Sequence, residues 1–321
     1  MTHSEVPARP DKKAWPSLEP TQRSDTAMRR ILGQLLDALR KNIDGVLEDL
    51  DTEPLHDLRV ATRRTRSALS TMKSVLPDAV VDDYASGFKW LGAVTGPCRD
   101  LDVHLIEMED LQRRLNIVDG ALDPLRHLLE QARTEEHRRV VESLCSERFR
   151  LLTDGWDEFL HTDGTDDDEP GKAGRPILDV AGKRIHKAHR RVVKRGAKLV
   201  DYTPDTSFHR LRIDAKKLRY LLEFFASLYP GETVRLLIKE LKRLQDTLGS
   251  YNDMVVQRAR LAALADRLTE SGETNPDTII AMGRLADGMA ERQDEHRRAF
   301  ADRFASFASA ENRLLYQKTF T

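Results

Sequence analysis

One stretch of fourteen residues occurs twice in this chain, and that repetition constrains the fold more than any other feature. The first copy is residues 56–69 and the second is residues 209–222, so the offset is 209 − 56 = 153 residues. Apolar positions match between the copies, and so do the histidine and every cation of the first copy. The matched polar pairs are His56 with His209, Arg59 with Arg212, Arg63 with Lys216, Arg64 with Lys217 and Arg66 with Arg219.

Each copy predicts an amphipathic helix whose polar side is almost purely cationic. At about 100° per residue the histidine and the basic residues fall on one side, and the apolar residues fall on the other. A solvated helix face usually mixes signs, because Glu–Lys pairs four residues apart stabilise a helix and like charges there destabilise it. Two copies with the same charges at the same spacing therefore indicate a binding role. Each histidine is either an added phosphate donor or a helix-packing residue.

The chain as a whole is nearly neutral, so a basic surface can cover only part of the protein. The chain has 321 residues with 33% charged residues and 6% aromatics, and its formal net charge is −1. Its two cysteines, Cys98 and Cys145, carry no CxxC spacing, so we expect neither a disulfide framework nor a zinc site, and no metal. No apolar run approaches the ~18 residues of a membrane span, and the N-terminus lacks the apolar segment of a signal peptide. We therefore expect a cytoplasmic protein that binds no membrane.

The chain is predicted to be all-α, because no stretch alternates apolar and polar residues between turn signals. Five acids, three glycines and a proline mark an acidic linker near the repeat boundary. The predicted division is a disordered Pro-rich tail at 1–23, a first helical repeat at 24–160, the linker at 161–175, a second helical repeat at 176–309 and a C-terminal tail at 310–321.

The two repeats are expected to form one domain of two four-helix-bundle-like halves, related by an internal pseudo-twofold axis. Such an axis would bring the two basic helices toward each other, and halves that face outward remain the alternative. Gly249, which the offset places on Gly96, is expected to end the third helix of the second half. The acidic run within the linker is expected to be dispensable for folding, because it has no apolar anchors.

Further cations of the second half extend the basic pattern to neighbouring helices. The helix that follows residue 176 carries Lys183, Lys187, Arg190, Arg191 and Lys194 on one face, with Lys198 next along it. The third helix adds Lys239 and Lys242, and Lys242 matches Lys89 at the offset. We expect these helices to line a shared surface. Arginine can bond phosphate oxygens in a bidentate fork and lysine offers a mobile charge, so a polyanion is the predicted ligand.

The doubled HxLRxxxRR and HxLRxxxKKLRY motifs, with LGAVTGPCRDLDV and LQDTLGSYNDMVV, resemble the CHAD domain, the conserved histidine α-helical domain. The resemblance implies two four-helix bundles with internal twofold pseudosymmetry, a basic central surface, binding of inorganic polyphosphate and association with polyphosphate granules. Carried onto this chain, it points to the two repeated helices. The Arg99-Asp100 pair becomes Asn252-Asp253, so Asp100 and Asp253 are expected to be helix caps or partners of a structural arginine. An ExExK tunnel-domain signature is absent, which favours a stand-alone domain.

The residues of the basic faces distinguish three possible functions. A non-enzymatic polyphosphate-binding protein fits the cationic faces best. A binder of another polyanion, such as single-stranded RNA or DNA, should interleave aromatic residues for base stacking, and only Tyr220 and Trp90 qualify. A phosphatase or kinase needs carboxylates for Mg²⁺ or a base near the cations. The basic faces look nearly free of Asp and Glu, and GxxxxGK[ST] is absent, so we expect no catalysis and no cofactor.

Overall fold

The computed structural model describes residues 15–162, 171–200, 203–271 and 276–321. These residues form twelve α-helices and no strand, which confirms the all-α class. Within the same residues, no helix is both long and apolar enough to cross a membrane. The helices are α1 (Ser24–Lys41), α2 (Ile43–Glu48), α3 (Glu53–Thr71), α4 (Asp78–Val94), α5 (Gly96–Arg114), α6 (Asp123–Leu144), α7 (Glu147–His161), α8 (Ile177–Gly196), α9 (Asp205–Phe224), α10 (Gly231–Ser271), α11 (Pro276–Phe307) and α12 (Ala310–Phe320).

The helix starts repeat at the offset of the sequence motif. The starts of α1 and α8, of α4 and α10, and of α6 and α11 each differ by 153 residues (177 − 24, 231 − 78 and 276 − 123). Those of α3 and α9, the two basic helices, differ by 152 (205 − 53). The duplication therefore extends beyond the motif to the order of the helices, while the pseudo-twofold axis stays a prediction.

The two halves differ at the end of their third helix. In the first half α4 ends at Val94 and α5 begins at Gly96, with Pro97 in the first turn of α5. The offset places Ser250 at the position of Pro97 (250 − 97 = 153). Proline lacks the backbone N–H and clashes with the preceding turn, whereas serine permits the helix to continue. The expectation that Gly249 ends a helix is therefore wrong, because α10 runs on through it.

The hydrophobic cores do not follow the repeat boundary. The larger core joins α1, α3, α4 and α7 to α8, α9, α12, the first half of α10 and the end of α11, with Trp156, Phe224 and Phe307 among its largest buried side chains. A smaller core fills the space between α5, α6, the second half of α10 and the first half of α11. Each core thus draws helices from both repeats, so neither repeat encloses a core of its own.

The disorder expected for residues 1–23 does not hold for residues 15–23, and the C-terminal tail expected at 310–321 is largely helical. Trp15 meets Phe224 edge to face with ring centroids 4.8 Å apart, and Leu18 is 3% exposed. Residues 310–320 form α12, whose Tyr316 is fully buried. The expectation of disorder rested on prolines and charges, which do not reveal single apolar anchors.

The acidic run of the predicted linker, within residues 163–170, lies outside the described residues. The residues that follow it are docked at the start of α1. The backbone N–H groups of Ser24 and Asp25 donate to the carbonyls of Arg175 and Ala173, at 3.0 and 3.2 Å, and Ala173 is buried. The linker boundary at 175 therefore includes chain that belongs to the fold.

Candidate functional site

The two copies of the repeated helix face each other across a cleft of about 1200 Å³. The cleft lies between α3 and α9, and α1 and α10 complete its walls. The first copy contributes His56, Arg63 and Arg64, and the second contributes Arg212, Lys216 and Arg219. The arrangement with facing copies, rather than halves that face outward, is therefore the one found. We call this space the central cleft.

Side chains of the two copies bond directly across the central cleft. Arg63 donates from Nε to the hydroxyl of Tyr220 at 3.0 Å. Arg64 pairs with Glu223 at 2.7 Å, and Arg219 donates from Nε to the other oxygen of the same carboxylate at 2.6 Å. Glu223 therefore holds one arginine from each copy. Charge-assisted bonds of this kind fix the direction of each guanidinium, so the cations are positioned before any ligand arrives.

Carboxylates also line the central cleft, which corrects the expectation that the basic faces are nearly free of them. Glu223 lies on the second basic helix itself, and Arg212 pairs with Asp253 at 3.3 Å. The remaining acids are Asp57 and residues of neighbouring helices, namely Asp37 from α1 and Asp246 from α10. One helix viewed alone does not show the acids that its neighbours bring. The predicted role of Asp253 as an arginine partner is confirmed, whereas its predicted role as a helix cap is wrong because α10 is continuous.

Lys216 is the cation whose protonation the cleft disturbs most. Burial lowers its pKa to about 7, and the charges of Arg212 and Arg63 act in the same direction, opposed by Asp253. The pKa of His56 is also lowered, first by burial and then by Arg99. The lowered pKa of Lys216 therefore reflects burial first and the charges of neighbouring arginines second. A bound anion would restore the proton that this lysine loses near neutral pH.

Seven of the predicted ligand residues line neither the central cleft nor the groove along α8 that is described next. Arg59 is buried at the junction of α4 and α5, where it donates to the Gly92 carbonyl at 3.0 Å and to the Thr95 hydroxyl at 3.1 Å, which makes it a structural residue. His209 instead contacts the Asn252 side chain at 2.6 Å. The other five are Arg66, which lies over Gly92, Lys217, which faces Asp214 on the α8 side, and the exposed Lys89, Lys239 and Lys242.

The basic face of α8 forms a second groove that shares no lining residue with the central cleft. This groove has a volume of about 1310 Å³, and it contains the predicted Lys183, Lys187, Arg190, Arg191 and Lys194. We call it the α8 groove. The opposite face of α8 buries apolar residues, including Ile185 and Val192, against the larger core. The expectation of one shared basic surface is therefore wrong, because the apolar face of α8 points toward the core and its cations point away from the central cleft.

Some lining residues were missed from the sequence. Trp15 and Lys41 line the central cleft, and Arg195 lines the α8 groove beside Lys198, which the sequence pattern already indicated. Trp15 lies in a segment that carries no helical pattern, and only its packing in the fold reveals it.

No group of three or more His, Cys, Asp or Glu side chains is placed to hold a metal ion in the part of the chain that the structure describes. The chemistry available in both grooves is therefore that of guanidinium, ammonium and hydroxyl donors, together with the carboxylates that orient them in the central cleft.

The sequence profile of the CHAD domain matches residues 30–262, which is most of the chain. The chain belongs to the CHAD domain family. A solved CHAD domain from the plant Ricinus communis has the same fold, with a TM-score of 0.73 and 28% identity over 94% of this chain and 97% of that one. PptA from Streptomyces chartreusis shares the fold with a TM-score of 0.70 at 19% identity, over 88% of this chain and 99% of that one.

Curated relatives of this CHAD protein are longer than the chain itself. Two proteins of Mycobacterium tuberculosis, uncharacterized protein MT2285 of strain CDC 1551 and uncharacterized protein Rv2226 of strain H37Rv, are each 28% identical over 241 residues. The match covers 69% of this chain and 42% of each relative. The chain therefore spans less than half the length of the curated relatives that it matches.

Proposed function

We propose that this CHAD protein binds inorganic polyphosphate in the central cleft without cleaving it. The observation that carries the proposal is the meeting of Arg63 and Arg64 from one copy with Arg212, Lys216 and Arg219 from the other in one cleft. Guanidinium forks and an ammonium group suit the oxygens of successive phosphate units along a chain. The family resemblance supports the same ligand.

The near balance of cations and acids in the central cleft implies that a ligand is recognised by the placement of individual cations more than by a net positive charge. Its lining holds six Lys or Arg side chains and five Asp or Glu side chains. A phosphate chain must therefore compete with Glu223 and Asp253 for the arginines that those carboxylates hold. The anion also restores the proton of Lys216, which adds a favourable charge that the empty cleft lacks.

Single-stranded RNA or DNA is the alternative ligand, and the aromatic rings of the central cleft disfavour it. Arg64 lies over both Trp15 and Tyr220, with its guanidinium carbon 5.4 and 5.6 Å from the ring centroids. Tyr220 is 7% exposed, and its ring lies parallel to that of Phe224. Rings already covered by an arginine and by neighbouring rings offer no open face for base stacking.

We also propose that the protein is not an enzyme. Carboxylates do lie beside the cations of the central cleft, but Glu223 and Asp253 are engaged by arginines, which leaves neither of these two poised as a general base. Within the cell, we propose a cytoplasmic location at polyphosphate granules, which a fluorescent fusion imaged beside a polyphosphate stain would test.

The direct experiment is competition between long-chain polyphosphate and single-stranded RNA of equal total charge, with the polyphosphate recovered and sized on a gel. We expect polyphosphate to displace RNA at lower concentration and to keep its length. Preferential retention of RNA would favour the alternative ligand, and shortened polyphosphate would show an enzyme.

A further inference from the structure

The α8 groove carries a line of cations that the fold does not use. The exposed side chains of Lys183, Lys187, Arg190, Arg191 and Lys194 share one face of α8, and the exposed Lys198 follows two residues after the end of the helix. Within the described residues these six form no ion pair and no hydrogen bond. Arg195 is the exception in the groove lining, because it pairs with Asp214 of α9. The α8 groove therefore holds exposed cations that no carboxylate of the described residues pairs with directly, although the charge of Arg191, after that of Arg195, opposes the rise that burial causes in the pKa of Asp214.

Its charge balance differs sharply from that of the central cleft. The lining of the α8 groove has seven Lys or Arg side chains against a single acid, Asp179, at the start of the helix. The central cleft has six against five. Beside the start of α8, the pKa of Lys172 is lowered chiefly by the charge of Arg184, with contributions from Lys187 and Lys183. Such mutual repulsion costs stability unless an anion relieves it.

The shape of the line suits an extended ligand. Lys183 and Lys194 are eleven residues apart, and an α-helix rises 1.5 Å per residue, so these cations cover about 16 Å along α8, with Lys198 just beyond the end of the helix. Tyr229 and Phe320 border the α8 groove, with their ring centroids 4.7 Å apart. Phe320 is 4% exposed, and the Tyr229 hydroxyl donates to the Leu178 carbonyl at 3.4 Å. The border offers no free ring for a nucleotide base.

We propose that the α8 groove is a second anion-binding site, separate from the central cleft, that takes a stretch of linear polyphosphate along the helix. The ligand is a chain of phosphates rather than a nucleic acid, because the groove offers unpaired cations and no stacking platform. This second site does not depend on binding in the central cleft, and the two sites together give the protein two contacts with polyphosphate.

Calorimetric titration with a polyphosphate chain shorter than the row of cations in the α8 groove tests this second site. The test variant carries Lys187→Ala, Arg190→Ala, Arg191→Ala and Lys194→Ala. The matched control removes four exposed arginines of α5 and α6, which lie outside both grooves, by Arg113→Ala, Arg114→Ala, Arg138→Ala and Arg139→Ala. Both variants lose four positive charges, and alanine preserves helix content, which circular dichroism checks.

The native protein and the control should each bind two short chains, and the α8 variant should bind one. A variant of the central cleft, Arg63→Ala with Lys216→Ala, should keep the site in the α8 groove. An α8 variant that still binds two chains with unchanged affinity would overturn the second site. So would displacement of the chain from this groove by single-stranded DNA of equal charge at equal concentration. If Arg63→Ala with Lys216→Ala still binds two chains while the α8 variant binds one, the proposed function of the central cleft fails and the site in the α8 groove stands.

Discussion

The guanidinium of Arg64 on α3 lies 2.7 Å from the carboxylate of Glu223 on α9, and this ion pair joins the two copies of the repeated helix. Glu223 also accepts from Arg219 at 2.6 Å, so one carboxylate orients two cations of the proposed binding cleft. The side chain of Glu223 is only 13% exposed, which shields the pair from solvent. The carboxylate is thus both a positioning group and a competitor of any bound phosphate.

Replacing this competitor should tighten binding at the expense of stability. Glu223→Gln keeps the shape of the side chain and releases the charge of both arginines. We expect the affinity of the central cleft for polyphosphate to rise roughly threefold to tenfold, which is up to about 1.4 kcal/mol. The free energy of unfolding should fall by about 2 kcal/mol, because charge-assisted bonds to a shielded group are lost. Glu240→Gln on the outside of α10 is the matched control, and an unchanged affinity in Glu223→Gln would contradict the competition.

Lys216 should make binding in the central cleft depend on pH. Its pKa of about 7 means that the free protein loses this charge as pH rises from 6 to 8.5, so affinity should fall over that range. A bound phosphate chain raises the pKa again, so binding near pH 7.5 should take up a proton, measurable by calorimetry in buffers of different ionisation enthalpy. Lys216→Arg stays charged and should flatten the profile. A variant with the same slope as the native protein would assign the effect to His56, which lines the same cleft.

The same lowered pKa has the opposite consequence for stability. The unfolded chain keeps the Lys216 proton to its ordinary pKa near 10.5, whereas the folded protein gives it up near 7. The unfolded state thus binds more protons between these values, so this residue makes the fold more stable as pH rises through that window. Denaturant unfolding at several pH values should show this gain in the native protein and lose it in Lys216→Met.

Salt should affect the two grooves unequally. The α8 groove has six cations without an ion pair among the described residues, whereas three of the six cations of the central cleft, Arg64, Arg212 and Arg219, are held by carboxylates. Each phosphate neutralised by a free cation releases counterions, with a contribution of about 0.7 to 0.9 to the log–log salt slope for nucleic acids. Removing the four α8 cations should reduce the slope for long-chain polyphosphate by roughly 3. An unchanged slope would place the salt-sensitive contacts elsewhere.

The continuity of α10 rests on a single difference between the repeats. Ser250→Pro would place in the second half the residue that the first half has at Pro97. In the interior of α10 it should cost about 3 kcal/mol or more in the free energy of unfolding, because a backbone hydrogen bond is lost and the ring clashes. Ser250→Ala is the control and should lie within about 1 kcal/mol of the native protein. A proline variant of native stability would show that α10 already bends there.

Much of this architecture could be predicted from the sequence, because it depends on local patterns. The doubled motif predicted the helices α3 and α9 and their facing basic residues, since spacing alone places Arg63 and Lys216 on the cationic side. The length of α10 was predictable in principle, because Ser250 stands where the first half has Pro97. The prediction that Gly249 ends the helix is wrong because a glycine alone permits a helix to continue when no proline follows it.

What the sequence could not reveal are contacts between helices that are distant along the chain. Asp37 and Asp246 enter the central cleft from α1 and α10, and the burial of Arg59 against the α4–α5 junction depends on tertiary packing. The division of the basic residues between two grooves also depends on the packing of helices that are distant along the chain. The cationic faces of α8 and α9 look alike as sequences, but only the direction of each apolar face toward the core decides which space the cations enter.

The neighbours Lys216 and Lys217 on α9 provide the most direct test of the central cleft as the polyphosphate site. They have the same charge and the same helix, yet Lys216 lines the cleft and Lys217 faces Asp214 on the α8 side. The measurement is the affinity for a short polyphosphate chain at pH 6.5. The protein carries the four α8 substitutions, so that only binding in the central cleft is measured. Lys216→Ala and Arg63→Ala should each weaken binding about tenfold, and Lys217→Ala should leave it within about twofold. Equal effects of the two lysines, or no effect of Lys216→Ala in folded protein, would contradict binding in the central cleft.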